Sequence, residues 1–388
     1  MIQNRIRLST VIIIILLVAL FSVGAIDSQV AASSAAQLFQ TAADQNGGGE
    51  ISAKTNSTEW LAATRPWTKE RMLAAQPYPL VTTEGQLTLS TELTEPVGKP
   101  GLKPSSPPEG LDIPSIAEES FEISSAAYLL GYSYPPPYTR FKNFDSYQVF
   151  PYSTIGVLFF SQYGVDYRCS AASIGKDAVW TAGHCIHTGD GTEGGWSEDV
   201  IFVPAYKNGE APFGVWTAYN TWTKGSWYSS KDLRFDMGGA VLNTNSSGKM
   251  ISQVVGNLGF SYNLNSSIEL WFNFGYPSEA PFDGRWQYIC TGPFAYDDPV
   301  GPNLNTPWSP PYPVGMGCDM TRGSSGGPWI KDFSGVAGSA NFLNGNTSYR
   351  HLSNPEELFS PYFGDAAKTL WNQLMGITER LLLPIVMK

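Results

Sequence analysis

Residues 318–329 carry the side chain of this sequence best suited to nucleophilic chemistry. They read Cys-Asp-Met-Thr-Arg-Gly-Ser-Ser-Gly-Gly-Pro-Trp, so Ser325 has two glycines after it and Gly323 shortly before it. Glycines allow a sharp turn and let peptide N–H groups point at a developing oxyanion. The segment is therefore typical of an activated serine, although a Gly/Ser turn without chemistry explains it equally well when it is taken alone.

An activated serine needs a base, and the chain contains only three histidines. His184 lies in Thr-Ala-Gly-His-Cys, directly after the apolar run 178–180. Histidine is the side chain that most readily exchanges a proton near neutral pH. His184 is the candidate base, and we expect His187 and His351 to be surface residues.

A third member of the site is a carboxylate that orients the base. Asp236 lies shortly before the strand-like run 239–242, where a desolvated carboxylate would interact most strongly with an imidazole. Asp232 is four residues earlier and stays open as the alternative acid.

These motifs occur in the order His, Asp, Ser, and together they resemble the chymotrypsin-like (trypsin superfamily) serine proteases over residues 148–388. The residues around the serine look closest to the secreted glutamyl-endopeptidase-like branch. The resemblance implies a serine endopeptidase that cleaves proteins or peptides through His184, Asp236 and Ser325, with an acyl-enzyme intermediate. It also implies an oxyanion hole made by the N–H groups of Gly323 and Ser325, and no cofactor or metal.

Two other functions compete with this interpretation. The same residues fit Gly-x-Ser-x-Gly, the nucleophile elbow of α/β-hydrolases, which would require Asp332 as acid and His351 as base. Too little chain separates those residues from Ser325 for the strands and helices of that fold. The second alternative is a catalytically silent homologue that binds protein through the same cleft, but the three intact catalytic residues disfavour it.

The four cysteines predict disulfides. The resemblance implies a bond between Cys169 and Cys185 beside the catalytic histidine, which leaves Cys290 and Cys318 as the second pair. The sequence itself allows three connectivities. A zinc site is the alternative for four cysteines, but no Cys-x-x-Cys motif is present.

Specificity is suggested by Asp319, which stands where the trypsin pattern has the acid that binds Arg or Lys side chains. Cys318, where trypsins have no cysteine, leaves the register of this loop open, and residues 335–341 contain no histidine for a Glu-specific pocket. The resemblance therefore favours cleavage after basic residues, with acidic residues as the runner-up. Ser324 occupies the position of the Asp that captures the new N-terminal amine in digestive trypsin-like enzymes. Activation through that salt bridge is not expected.

The N-terminal part of the chain has a different composition. Residues 1–25 have the layout of a secretory signal, and about 13 apolar residues are too few for an uncleaved membrane anchor, which needs roughly 20. Residues 26–140 are rich in Ala, Ser, Gln, Pro and Gly and are expected to bury little. We interpret them as a proregion of a zymogen, with a retained flexible arm as the alternative, before a protease domain at 141–388.

The net charge and the glycosylation sequons bear on the partners and the location of the protein. The net charge of −10 argues against a nucleic-acid-binding face. Asn-x-Ser/Thr sequons at Asn56, Asn245, Asn265 and Asn346 predict a glycoprotein, though such tripeptides often arise by chance. We expect a secreted, extracellular monomer without stable membrane association once the signal is cleaved.

The elements that must position these residues read as short strands separated by Gly, Asn, Pro and Asp, which indicates an all-β fold. The resemblance implies two six-stranded antiparallel β-barrels, with His184 and Asp236 in the first and Ser325 in the second. Leu370, Leu374, Ile377 and Leu381 recur at helical spacing and predict a C-terminal helix. The predicted strands are 155–160, 178–181, 200–203, 213–222, 239–242, 268–274, 286–290 and 336–339.

Overall fold

The computed structural model describes residues 51–55, 65–83, 96, 98–111, 136–268, 270–299, 308–334 and 341–377. The predicted signal segment 1–25, the sequon at Asn56 and the predicted strand 336–339 lie outside these residues. In this part of the chain, every helix is too short or too polar to span a bilayer.

The described residues form nineteen strands and four α-helices. The helices are α1 (Lys69–Ala74), α2 (Gly225–Ser230), α3 (Ile251–Val255) and α4 (Asp365–Leu374). The strands are β1 (Ile51–Thr55), β2 (Gln76–Pro77), β3 (Val81–Thr83), β4 (Gly101–Lys103), β5 (Thr139–Lys142), β6 (Ile155–Gln162), β7 (Val165–Gly175), β8 (Ala178–Thr181), β9 (Glu198–Pro204), β10 (Trp216–Lys224), β11 (Gly238–Leu242), β12 (Gly259–Tyr262), β13 (Leu270–Gly275), β14 (Tyr288–Asp297), β15 (Val314–Gly317), β16 (Pro328–Lys331), β17 (Phe342–Asn346), β18 (Tyr349–His351) and β19 (Glu357–Ser360).

The first sheet closes into a barrel. Strands β6 to β11 pair antiparallel in the order β10-β11-β8-β7-β6-β9, and β9 pairs back onto β10. Successive side chains of β6 point to opposite faces, so Leu158 and Phe160 fill one core while Val157 and Phe159 fill another. Because both faces of β6 are buried, its residues 155–160 form a continuous apolar run.

The second sheet forms a half-barrel. Six consecutive strands, in the order β19-β15-β14-β13-β16-β17, pair antiparallel, and β12 and β18 extend the two ends. A core that contains Trp271, Trp329 and Met316 packs against this sheet. The all-β double-barrel architecture expected from the resemblance is confirmed.

The N-terminal segment contributes more structure than its composition suggests. Strand β1 pairs with β10, β2 with β7, β3 with β18, β4 with β12 and β5 with β14. Met72, Ala75 and Leu80 are buried. The expectation that this segment buries little is wrong for these residues, and its removal on maturation stays a prediction.

The C-terminal helix is confirmed, but it ends earlier than the apolar spacing suggested. Helix α4 covers Asp365–Leu374 and buries Leu370, Trp371 and Leu374. Ile377 lies beyond the helix and is 46% exposed, and Leu381 falls outside the described residues. Gly376, with φ of +66°, follows the last turn and directs the chain away from the helix axis.

Candidate active site

His184 and Asp236 are brought together by the pairing of two neighbouring strands. His184 lies in a 3-10 turn, Gly183–Cys185, that follows the end of β8. Asp236 follows another 3-10 turn and is separated from β11 by Met237 alone. Strands β8 and β11 are antiparallel, with Gly238 opposite Thr181, so the end of one meets the beginning of the other. This register places the two side chains side by side.

The Asp236 carboxylate holds His184 through both of its oxygens. His184 Nδ1 lies 2.7 Å from Asp236 Oδ2, and the His184 backbone N–H donates to Asp236 Oδ1 at 2.8 Å. Both groups are buried, with 2% and 0% of their side chains exposed. A carboxylate can only accept, so the imidazole proton lies on Nδ1 and Nε2 is left as the proton acceptor. Asp232 is instead bound to the Arg234 guanidinium at 2.6 Å.

Two further residues hold Asp236, and neither was identified from the sequence. Ser348 Oγ donates to Asp236 Oδ2 at 2.6 Å, and Asn346 Nδ2 donates to the Asp236 carbonyl oxygen at 3.2 Å. Asn346 belongs to one of the sequons but is fully buried, so this folded chain does not present it for glycosylation. The sequence pattern indicates Asn346 only as a glycosylation site, whereas in the structure its side chain positions Asp236.

The Ser325 loop packs against the middle of β7 and the end of β8. The Ser325 carbonyl accepts from the Ser170 N–H at 2.7 Å, and Ser170 Oγ donates to the Gly323 carbonyl at 2.9 Å. A Cβ on Gly326 would lie 2.0 Å from Thr181 Oγ1, so only glycine fits there. The loop is therefore clamped between β7 and the end of β8, which leads directly to His184.

The polar atoms expected to react have no partners. Among the described residues, Ser325 Oγ and His184 Nε2 are buried and form no hydrogen bond, either with each other or with another group. The N–H groups of Gly323 and Ser325 likewise donate to no group in this part of the chain, whereas those of Ser324 and Gly326 donate to backbone carbonyls. Buried polar groups without partners are rare in folded proteins. Together these atoms leave an acceptor, a hydroxyl and two donors for a reacting group.

Both expected disulfides are present. Cys169–Cys185 joins β7 to the turn that carries His184, with a Cα–Cα distance of 6.3 Å. Cys290–Cys318 joins β14 to the segment that leads into the nucleophile loop, with a Cα–Cα distance of 5.7 Å. Each bond limits the movement of a segment that positions a candidate catalytic side chain.

Asp319, the predicted specificity residue, already has a cationic partner. Its carboxylate forms an ion pair with Arg140 from β5, and 26% of its side chain is exposed. Arg350 lies nearby, with its guanidinium donating to the Met320 carbonyl oxygen. An Arg or Lys side chain of a substrate would have to compete with Arg140 for Asp319, and basic-residue preference stays a prediction.

The other two histidines are buried, so their expected surface placement is wrong. His351 Nε2 lies 2.8 Å from Asp298 Oδ2, and Asp332 forms an ion pair with Lys331. The base and acid that an α/β-hydrolase arrangement would require therefore have different partners.

His187 predicts a pH-dependent stability. Its Nδ1 accepts from the Gly189 N–H at 2.9 Å and its Nε2 contacts the Thr192 carbonyl at 2.8 Å, so its ring is neutral in the fold. Burial lowers the pKa of His187 below its usual 6.5 and outweighs the attraction of Asp190, 3.9 Å away. A depressed pKa contributes stability that is present above pH 6.5 and lost as the pH falls towards the folded-state value.

We expect the free energy of unfolding to fall as the pH drops below about 6.5, by up to about 1.4 kcal/mol per pH unit through His187. His187→Asn keeps an acceptor for Gly189 but does not titrate, so its stability curve should be flatter. Denaturant titrations at several pH values measure the difference. Equal slopes for the two proteins would show that His187 does not carry the effect.

Comparisons with known proteins agree with this geometry. The crystal structure of the protease Anisep from Arthrobacter nicotinovorans is 34% identical, covers 58% of this chain and 96% of its own, and superposes with a TM-score of 0.51. The chain belongs to the chymotrypsin-like serine proteases. The thermostable serine protease AL20 from an extremophilic microorganism, at 32% identity, 58% and 98% coverage and a TM-score of 0.51, leads to the same family.

More distant matches add little about this chymotrypsin-like protease. A Glu endopeptidase structure matches at 16% identity over 61% of this chain and 96% of its own, with a TM-score of 0.48, and is too distant to bear on specificity. No protein-family profile matches the sequence. A Bacillus subtilis (strain 168) protein named extracellular metalloprotease is 26% identical over 122 residues, 31% of this chain. The match spans 36% of that relative's own length.

That relative is named a metalloprotease, but the candidate ligand groups of this chain do not fit a metal ion. Within the described residues, the two groups with ligand-type side chains in reach of one another are Cys169, His184 and Cys185, and Cys290, Cys318 and Asp319. All four cysteines are in disulfides and cannot bind metal as thiolates.

Proposed function

We propose that this protein is a secreted serine endopeptidase that hydrolyses peptide bonds through His184, Asp236 and Ser325. The observation that carries the proposal is the orientation of His184. Asp236 accepts from both its ring and its backbone, which leaves Nε2 free to accept a proton in the neutral imidazole, and the nucleophile loop carries an unpartnered serine hydroxyl. An orienting acid, a base and a nucleophile are the parts that acyl transfer needs.

In the first half of the reaction, Ser325 Oγ attacks the carbonyl carbon of the scissile peptide and His184 Nε2 takes the hydroxyl proton. The carbonyl oxygen becomes an oxyanion, and the free N–H groups of Gly323 and Ser325 stabilise it. The C–N bond then breaks, the departing amine takes the proton from His184, and an ester to Ser325 remains.

In the second half, water attacks the ester while His184 Nε2 accepts a proton from it. Collapse of the second oxyanion breaks the bond to Ser325 Oγ, which regains its proton from His184. Asp236 stabilises the imidazolium formed in each half, while Ser348 holds its carboxylate and Asn346 holds its backbone carbonyl.

Secretion is part of the proposal. Two disulfides suit an oxidising compartment, and the apolar segment near the N-terminus has the layout of a secretory signal. The substrates we propose are proteins or peptides, and no cofactor is required.

The test is labelling with a fluorophosphonate probe, carried to completion on the full chain. Ser325→Ala should abolish the label, while Ser324→Ala, whose hydroxyl is bound to the Thr321 carbonyl at 2.8 Å, should keep it. Mass spectrometry should place the adduct on Ser325. A folded protein that takes up no label, in the wild type and in variants that expose the site alike, would instead support the catalytically silent homologue.

A further inference from the structure

Residues 65–83, here called the strap, cross the face of the molecule that carries the candidate site. Strand β2 pairs parallel with β7, and the Tyr78 N–H donates to the Arg168 carbonyl at 2.9 Å. Strand β3 then pairs parallel with β18, which begins directly after Ser348. The strap therefore runs from β7, which carries Ser170, to β18, which follows the Asp236 partner Ser348.

Tyr78 lies at the centre of this crossing and covers the base. Its ring stacks on His184 with the ring centres 5.5 Å apart and the planes 21° apart. Tyr167 holds it from the other side, edge to face at 5.0 Å. His184 is 2% exposed and Ser325 is fully buried. A peptide carbonyl has to reach Ser325 Oγ for acyl transfer, so this arrangement is closed to substrate.

The strap does not lie in the site as a substrate would. Within the described residues, no strap carbonyl accepts from the N–H of Gly323 or Ser325, the expected oxyanion donors. The strap can therefore cover the site without presenting one of its own peptide bonds for attack.

Anchors on both sides of Tyr78 keep the strap in place. The buried Arg168 guanidinium donates to the carbonyl oxygens of Met72 and Leu73 at 3.0 Å and of Ala75 at 2.9 Å, at the end of α1. On the other side, Leu80 is 3% exposed and packs in the core of the second sheet. The segment is thus tied to both sheets, with Tyr78 between its ties.

A further ion pair fixes the beginning of the strap. Arg71 binds both oxygens of Asp166 on β7, at 2.9 and 2.8 Å, and its side chain is 9% exposed. Arg65 binds the same carboxylate at 2.6 Å, but its side chain is 68% exposed. A two-pronged, largely desolvated pair holds its partner more firmly than an exposed contact.

We propose that the strap is an autoinhibitory element that keeps the protease closed by stacking Tyr78 on His184, and that activity requires its displacement. This inference rests on the proposed function. It assigns to residues 65–83 the regulatory role that composition suggested only for the N-terminal segment as a whole.

The test compares initial rates of fluorophosphonate labelling on the full chain. Tyr78→Ala should label at least about tenfold faster than wild type, because the labelling rate scales with the fraction of open molecules. Tyr78→Phe keeps the ring and should label at the wild-type rate. Arg71→Ala should also accelerate labelling, whereas Arg65→Ala should have little effect.

The outcomes separate this inference from the proposed function. Labelling of Ser325 at the same rate in wild type, Tyr78→Ala and Arg71→Ala would overturn the autoinhibitory role of the strap, while the proposed protease function would stand. Absence of label in every variant, with thermal unfolding like that of the wild type, would overturn the proposed function and the strap with it. If Tyr78→Ala does not fold, Arg71→Ala decides, because it lies outside the cleft.

Discussion

Asp236→Asn is expected to lower kcat/KM for a peptide substrate by about 10⁴-fold, the size of loss that a wrong histidine tautomer causes in this mechanism. The Asn amide can donate to the imidazole, so the proton of His184 would move to Nε2 and that nitrogen could no longer act as a base. The shape of the side chain is preserved, and Ser348 and Asn346 keep hydrogen-bonding partners.

Asp232→Asn is the matched control for this substitution. Asp232 lies four residues earlier and binds Arg234, so its loss should change the rate by no more than a few-fold. Both variants are compared with wild type prepared in the same way, using a peptide substrate and thermal unfolding. A large loss for Asp232→Asn, with Asp236→Asn nearly normal, would transfer the role of the acid to Asp232.

Gly323→Ala is expected to lower kcat by about 10²- to 10³-fold, the usual cost of losing one oxyanion donor. The backbone at Gly323 has φ of +93°, which residues with a Cβ rarely adopt. An added Cβ would lie 2.6 Å from Ser278 Oγ and 2.8 Å from the Tyr276 carbonyl oxygen. The turn would have to shift, and the N–H would no longer point where the oxyanion forms.

Gly214→Ala separates this effect from backbone strain. Gly214 has a similar φ of +83°, but a Cβ there meets no atom within 4 Å. We expect Gly214→Ala to cost some stability and leave kcat near the wild-type value. If Gly323→Ala retained wild-type kcat while unfolding at a lower temperature, Gly323 would be a structural glycine and not part of an oxyanion hole.

Strands could be predicted from the sequence where both of their faces are buried. The runs 155–160 and 178–181 are apolar because both faces of β6 and β8 are covered, and they coincide with strands. Strand β7 was missed, since Asp166, Arg168, Ser170 and Ser173 interrupt its apolar pattern. Those side chains are polar because they hold other segments, including the strap and the nucleophile loop.

The sequence by itself determined the residues offered for chemistry, because a nucleophile loop and a histidine turn are local motifs whose composition is visible over a few positions. Tertiary structure alone decided their partners. Ser348 and Asn346 reach Asp236 from a segment more than a hundred residues away, and Tyr78 reaches His184 across a similar separation. Burial of His187 and His351 was decided in the same way. Contacts between distant segments depend on how the two sheets pack. The types of the two residues in such a contact do not show that they will meet.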